Sequence, residues 1–281
     1  MMSAGAWAKV QPQLRAMSEA MPDQMRIAGL GTKNILLPDS AGQEFHTTRW
    51  SGVIEHDVSD QVVVVWAGTP LDELQAELSQ HGQCLPLPQT GHRLVDGMPG
   101  TVGGLLAMNL PHGLSAQCGP PKDWCLGLCL IRSNGEICRT GSKAVKSVAG
   151  YDIHRFACGA RGAFFLIAAA ALRVHPLRAL PITQANAYRE WARESVWIQR
   201  VLRSDFDFAR ESALSLIASD AGSQTLWHGE LPSRFDHDWM IGPGGLICPN
   251  PAPPKLLAGA RDMLDPELRF NPHLNYEHPH A

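Results

Sequence analysis

Apolar positions recur at helical spacing near the start of the chain, where Trp7, Val10, Leu14 and Met17 mark one face of a weakly amphipathic helix over residues 6–20. Its expected role is packing. The next unit, "QVVVVWAGTPLDELQAELSQHGQCLPL", reads as strand, helix, strand: four valines and Trp66 form a buried strand, and Leu71, Leu74 and Leu78 line one helix face. Thr69 is placed to cap that helix, with Pro70 at its first position, Asp72 at the capping-box position and Gly82 closing it. Residues 125–140 alternate around Asn134-Gly135, which predicts a β-hairpin. "FFLIAAAALRVH", residues 164–175, stays open, because four alanines favour helix while the flanking Phe, Ile, Leu and Val suit a buried strand.

After His175-Pro176 the pattern changes, and a second, smaller unit is expected to begin near residue 178. "AYREWARESVWIQRVLR" is richer in charge and helical in period, so Trp191, Trp197, Ile198, Val201 and Leu202 read as the packing side of a helix. Residues 242–254 are dense in Gly and Pro and predict an irregular connection. "PKLLAGARDMLDPELRFNP" then gives a final helix stopped at Asp265-Pro266.

Composition narrows the function classes. The 281 residues suffice for one large domain or two ordinary ones. Hydrophobic residues make up 44%, charged residues 18%, and the formal net charge is -3, so no basic surface calls for nucleic acid or an anionic membrane. Small molecules or protein partners fit better. Lys9, Arg15 and Glu19 interrupt the first apolar positions, and there is no run of 18 apolar residues, so neither a signal peptide nor a membrane span is expected. Seven cysteines with no C-x-x-C pair fit neither zinc nor an iron–sulfur cluster and read as buried free thiols. Reduced cysteines agree with a cytoplasmic protein without a metal site.

Candidate chemistry lies in the glycines. "RIAGLGTKN", residues 26–34, looks like half of a dinucleotide fingerprint. A Rossmann site needs a third glycine and a helix opening inside the motif, whereas here Asn34 stands third and Pro38 and Gly42 would break any helix begun there. That argues against NAD. Two uses of the loop stay open: a backbone nest that turns successive N–H groups toward an anion, with Thr32 and Asn34 adding donors, or an ordinary turn between strands. "GMPGTVGGLLAMN", residues 97–109, is a second candidate, where Gly103 and Gly104 would let a phosphate rest on bare amides; its plain alternative is a glycine-rich bend.

The order "RIAGLGTKN", "VVVVWAGTPLDEL", "GTVGGLLAMN", "KDWCLGLCLIRSNGEICRTG", "VKSVAGYDIHRFACGARG" and "LDPELRFNP" resembles the small flavin-binding subunit of bacterial glycolate oxidase. That subunit belongs to the family sharing the fold of vanillyl-alcohol oxidase and p-cresol methylhydroxylase. The resemblance runs over about residues 24–177 and returns at the C-terminus. It implies an α+β protein: a PCMH-type FAD-binding domain over residues 1–177, made of two α+β subdomains clasping FAD, and a reduced α+β cap over residues 178–281. It also implies that Gly29, Gly31, Thr32, Lys33 and Asn34 meet the pyrophosphate, that Thr101, Gly103 and Gly104 form the second cofactor loop, and that Asp123, Gly162 and Ile167 complete the non-covalent FAD site. The implied partners are a larger catalytic FAD subunit and an iron–sulfur subunit, with a small 2-hydroxy acid as the substrate of the complex. Any membrane contact would come through them.

Three departures from the family pattern matter. Leu30 replaces the middle of three glycines and would cost roughly 1–3 kcal/mol if φ there were positive. In "GARGAFFLI", Ala163 and Phe165 replace a threonine and a glycine, so Phe165 is either an intruder in cofactor space or a core aromatic. The region after the flavin part is short, and His228, Arg234, His237 and His273 make no evident acid–base set. Tyr151-Asp152 and His154-Arg155 read as either an acid–base pair or a hydrogen-bonded turn. The leading reading is therefore an FAD-binding subunit of a glycolate-oxidase-like complex, with catalytic residues unassigned. A flavin-free structural subunit and a free-standing FAD-dependent 2-hydroxy-acid dehydrogenase are the alternatives.

Overall fold

The computed structural model describes residues 4–32, 42–87, 100–110, 118–141, 153–177, 197–201, 203–212, 216–220, 225–228, 239–242, 245–247 and 254–271. Its centre is a five-stranded antiparallel sheet in the order β3-β4-β8-β6-β7, built from Val53–Asp57, Val62–Trp66, Leu166–Arg173, Cys125–Ile131 and Ile137–Gly141. Both faces are covered. The valine strand β4 shows how: Val63 and Val65 enter one hydrophobic cluster, while Val64 and Trp66 enter another on the opposite face, as a strand's two-residue period requires. The first cluster is closed by helices α2 (Leu71–Gln80) and α3 (Val102–Met108). The second is closed by helix α1 (Ala4–Glu19), through Val10, Leu14 and Met17, and by the parallel pair β1 (Met25–Ala28) and β2 (Gln43–His46).

The open segment 164–175 resolves as β8, the middle strand, with Ala169, Ala170 and Ala171 opposite Trp66, Val65 and Val64. Alanine's helix propensity is overridden because the strand is paired on both edges and buried on both faces. The predicted hairpin is β6–β7: Gly135, at φ +82°, donates its N–H to the Arg132 carbonyl, and the Ser18 hydroxyl of α1 donates to the Gly135 carbonyl. Strand–helix–strand holds for β4, α2 and β5 (Gln83–Cys84), with Leu71, Leu74 and Leu78 buried as expected. Strand β5 pairs in turn with β9 (His175–Pro176), just past the end of β8. The expected cap does not form. Pro70 takes the N-cap position, and the Thr69 hydroxyl turns back to donate to the Trp66 carbonyl while accepting from Gly52 N–H.

The region after residue 178 departs further from expectation. Trp197–Arg200 is not helical but forms β10, the middle strand of a second antiparallel sheet ordered β11-β12-β10-β13-β14. Its charged flanks gave a helical period, yet pairing with β12 (Thr225–His228) and β13 (Trp239–Gly242) fixes it as a strand. Gly245–Ile247, expected to be irregular, is β14, which pairs antiparallel with β13. Strand β11 is Leu216–Asp220. The final helix, Pro254–Leu264, ends where predicted, but residues 254–271 pack on the first sheet: Phe270 is buried in its second cluster and pairs with Met25, and Ser133 donates to the Leu264 carbonyl. Buried Arg261 and Asp265 hold this segment, with Asp265 accepting from the N–H groups of Arg269 and Phe270.

Candidate functional site

Four chain segments far apart in sequence meet around one cleft beside the first sheet. Its volume is about 660 Å³, including space open to solvent. The first segment is the bend leaving β1. Gly31 adopts φ +71°, whereas Leu30 is not among the residues with positive φ, so the strain expected of a leucine there does not arise. No hydrogen-bond partner is seen among the described residues for the N–H groups of Leu30, Gly31 and Thr32. Below the bend, Thr47 donates to the Ala28 carbonyl and Ile27 N–H donates to Asn271 Oδ1, so β1 is held on both sides.

The second segment starts α3, and it is tied differently. The N–H groups of Val102 and Gly103 donate to the carbonyls of Thr69 and Ala67, and Gly104 N–H donates to the Thr101 side chain, the N-cap. Bare amides for a phosphate were expected at Gly103 and Gly104; both are already engaged. What these glycines provide is proximity. A Cβ at Gly103 would lie 3.0 Å from Ala67, and one at Gly29 in the first bend would lie 2.4 Å from Thr101 Oγ1. The two bends therefore touch, and they touch because Gly29 carries no side chain where the Thr101 side chain sits.

The third segment, residues 159–167, closes the C-terminal end of α3. Gly159 and Arg161 donate their N–H groups to the Leu106 and Ala107 carbonyls, two acceptors the last turn cannot satisfy internally. Phe165 and Ile167 then form cleft wall. Phe165 is both a buried member of the first core cluster and a face of the cleft, so it narrows the space without filling it. The fourth segment is Asn271, buried, with φ +40°, whose amide donates to the Arg161 and Gly162 carbonyls.

Of the residues expected from sequence, Gly29, Gly31, Thr32, Thr101, Gly103, Gly104, Gly162 and Ile167 all line this cleft. Lys33 and Asn34 lie outside the described residues, as do Tyr151 and Asp152. Asp123 is not brought in: it sits exposed on the short helix Pro121–Trp124, packed beside Gly119. Sequence reasoning missed Arg161 and Asn271. Both lay inside quoted motifs, "GARGAFFLI" and "LRFNP", but their roles depend on backbone contacts across more than a hundred residues, which no local pattern encodes.

None of the cysteines among the described residues lines this cleft. Cys84, Cys125, Cys129 and Cys158 are buried free thiols; burial pushes Cys129 up to about 12, and a hydrogen bond of the Cys125 thiol to Cys158, with burial, raises Cys125 well above its ordinary value. With their pKa values raised, Cys84, Cys125 and Cys129 stay protonated at neutral pH. No cluster of His, Cys, Asp or Glu that would hold a metal occurs among the described residues, and none of their helices is long and apolar enough to cross a membrane.

A cleft built from glycine bends, apolar walls and open main-chain donors fits a dinucleotide with an aromatic ring system. Residues 10–141 match the family described as an FAD binding domain, the described residues are of mixed α and β structure, and FAD is the cofactor. The resemblance read from the sequence is borne out by known proteins. The chain is similar to glycolate oxidase subunit GlcE of Escherichia coli (strain K12), with 29% identity over 59% of this chain and 47% of that one. It is also similar to D-lactate dehydrogenase of Archaeoglobus fulgidus (27% identity over 57% of this chain and 35% of that one). A shorter match is to glycolate oxidase subunit GlcD of Bacillus subtilis (strain 168), 34% identical over 27% of this chain and 16% of that one. The chain spans less than half the length of these curated relatives.

Proposed function

We propose that the chain is an FAD-binding subunit of a 2-hydroxy-acid-oxidising complex of the glycolate oxidase type. The observation that carries this reading is the convergence of eight sequence-selected residues from three separate segments on one cleft, together with the open N–H groups of the first bend. In this reading the Leu30, Gly31 and Thr32 amides receive the diphosphate, each such charged hydrogen bond contributing about 1.5–3 kcal/mol. Ile27, Met108, Phe165 and Ile167 shield the apolar parts of the cofactor from water. Bound flavin supplies a two-electron acceptor for the hydride of a substrate's carbinol carbon.

The chain's own part is holding that acceptor. No His, Asp, Glu, Tyr or Cys lines the cleft among the described residues, which favours non-covalent FAD and leaves the proton-accepting base to another segment or to a partner. We therefore assign substrate oxidation mainly to a larger FAD subunit working with an iron–sulfur subunit. The flavin unit comprises residues 1–177, as two α+β subdomains, with the 254–271 segment clasped to it, and the sheet of β10–β14 is the core of a reduced cap. The place of work is the cytoplasm, with any membrane contact made through partners.

The test is the visible spectrum of the purified full chain before and after FAD addition and gel filtration. Retained flavin absorption that glycolate alone does not bleach is the expected result. A colourless chain that takes up no FAD would overturn the reading in favour of a structural subunit, and rapid bleaching by glycolate or D-lactate would favour a free-standing dehydrogenase.

A further inference from the structure

The second bend was the place where sequence put phosphate-binding amides, and its amides are engaged by Thr69, Ala67 and Thr101. Among the described residues of the first bend, none carries a countercharge for a doubly charged diphosphate. Among the described residues lining the cleft there is a single charged side chain, Arg161. Its guanidinium is only partly exposed and has no hydrogen-bond or ion-pair partner among the described residues. An arginine with a free fork on an apolar wall is suited to an oxyanion.

Its backbone points the same way. Arg161 sits at φ +54°, a left-handed conformation that an ordinary L-residue adopts only at a cost. The conformation is fixed from both sides: Arg161 N–H donates to Ala107, the Arg161 carbonyl accepts from Asn271, and so does the next carbonyl, Gly162. Glycine would suit this position better for the fold alone, and the neighbours Gly159 and Gly162 both have positive φ with no side chain to accommodate. An arginine kept here against backbone preference, beside the cleft, indicates a use for its side chain.

The geometry points to Arg161 as the oxyanion-recognising residue of the cleft, its guanidinium serving the diphosphate of the dinucleotide opposite the open amides of the first bend. This rests on the FAD reading above but is separable from it. The shared chemistry is an oxyanion, and a substrate carboxylate is the other source of one.

The test compares the full-length wild-type chain with Arg161→Gly and Arg161→Lys for binding of FAD, ADP and riboflavin by calorimetry or flavin fluorescence. Arg161→Gly is expected to melt no lower than wild type, since it relieves the left-handed strain. It is also expected to bind FAD and ADP about tenfold to a hundredfold more weakly, with riboflavin unchanged and Arg161→Lys intermediate. A merely structural arginine would move stability without separating ADP from riboflavin. Wild-type affinity of Arg161→Gly for both FAD and ADP overturns the inference while leaving the FAD reading intact. ADP binding that depends on Arg161 in a chain that takes up no FAD overturns the FAD reading and upholds the inference. If the variant leaves ADP untouched but weakens the perturbation of the flavin spectrum by glycolate or oxalate, the oxyanion is a carboxylate and the diphosphate assignment falls.

Discussion

The two glycine bends of the cleft look alike in sequence and act differently in the fold. In the first, residues 29–32 leave β1 with main-chain donors facing no protein partner among the described residues. In the second, Thr101, Gly103 and Gly104 open α3, and the N–H groups of Val102, Gly103 and Gly104 are tied to Thr69, Ala67 and the Thr101 side chain. One bend offers hydrogen bonds; the other offers closeness. Glycine serves both purposes, because it adopts positive φ, as Gly31 does, and because it leaves room for a close neighbour, as Gly29 does for the Thr101 side chain and Gly103 for Ala67. Sequence alone shows the residue type and not which of the two properties is in use.

The strongest way to break this contrast is through the support beneath the first bend. Asn271→Ala removes the acceptor of Ile27 N–H and the donor to the Arg161 and Gly162 carbonyls, all in buried or half-buried surroundings. It also places an alanine at φ +40°. A loss of about 3 kcal/mol is expected in urea denaturation. FAD affinity should fall with it, since both the first bend and the Arg161 loop lose their common anchor. If stability drops and FAD affinity per folded molecule does not, the first bend is not the main holder of the cofactor.

Next in size is the contact between the bends. Gly29→Ala puts a methyl 2.4 Å from Thr101 Oγ1 and 2.9 Å from its Cγ2, so the bends must separate, at a cost of roughly 1–3 kcal/mol. Thr101→Ala alone removes the N-cap of α3 and costs about 1 kcal/mol. The double substitution gives the added methyl the space Thr101 vacates, so its cost is expected to be smaller than the sum of the two. Denaturation of the four proteins of this cycle measures the coupling. Strict additivity would show that the bends do not touch in solution.

How much of this was legible in the chain depends on the same division between local and distant causes. The β4–α2–β5 unit, the β6–β7 hairpin and the final helix were readable because apolar period, an Asn-Gly turn and an Asp-Pro stop act within a few residues. Strand β8 was not, since alanine carries no periodic signal of its own and only the neighbours β4 and β6 decide its state. Strand β10 was misread because charged residues near Trp197 and Ile198 mimic an amphipathic helix, while pairing with residues thirty and forty positions later makes it central. In the cleft, the glycines were visible as residue types. Asn271 and Arg161 acquire meaning only once the C-terminal segment crosses back to β1, and Asp123 lost its assigned place for the complementary reason: a motif position carried over from a resemblance brings no geometry with it.

The mildest substitutions sharpen the contrast most, because they separate fold from ligand within the second bend itself. At Gly103 a methyl would meet Ala67 Cβ and the Ala67 carbonyl at 3.0 Å, tight enough to offset the helix propensity gained by replacing glycine. Gly103→Ala should therefore cost about 1 kcal/mol or less. At Gly104 the nearest atom is Thr101 Oγ1 at 3.4 Å, an ordinary contact, and the position is helical, so Gly104→Ala should stabilise the cofactor-free chain by up to about 1 kcal/mol. Yet Gly104 lines the cleft, and its new methyl would stand where FAD must approach α3. Higher melting temperature in the absence of FAD together with weaker FAD binding is the expected pair of results, read by thermal melts with and without saturating cofactor. A gain in stability with unchanged FAD affinity would mean that the cofactor does not rest on this end of α3, and that the closeness of the second bend serves only the packing of the sheet.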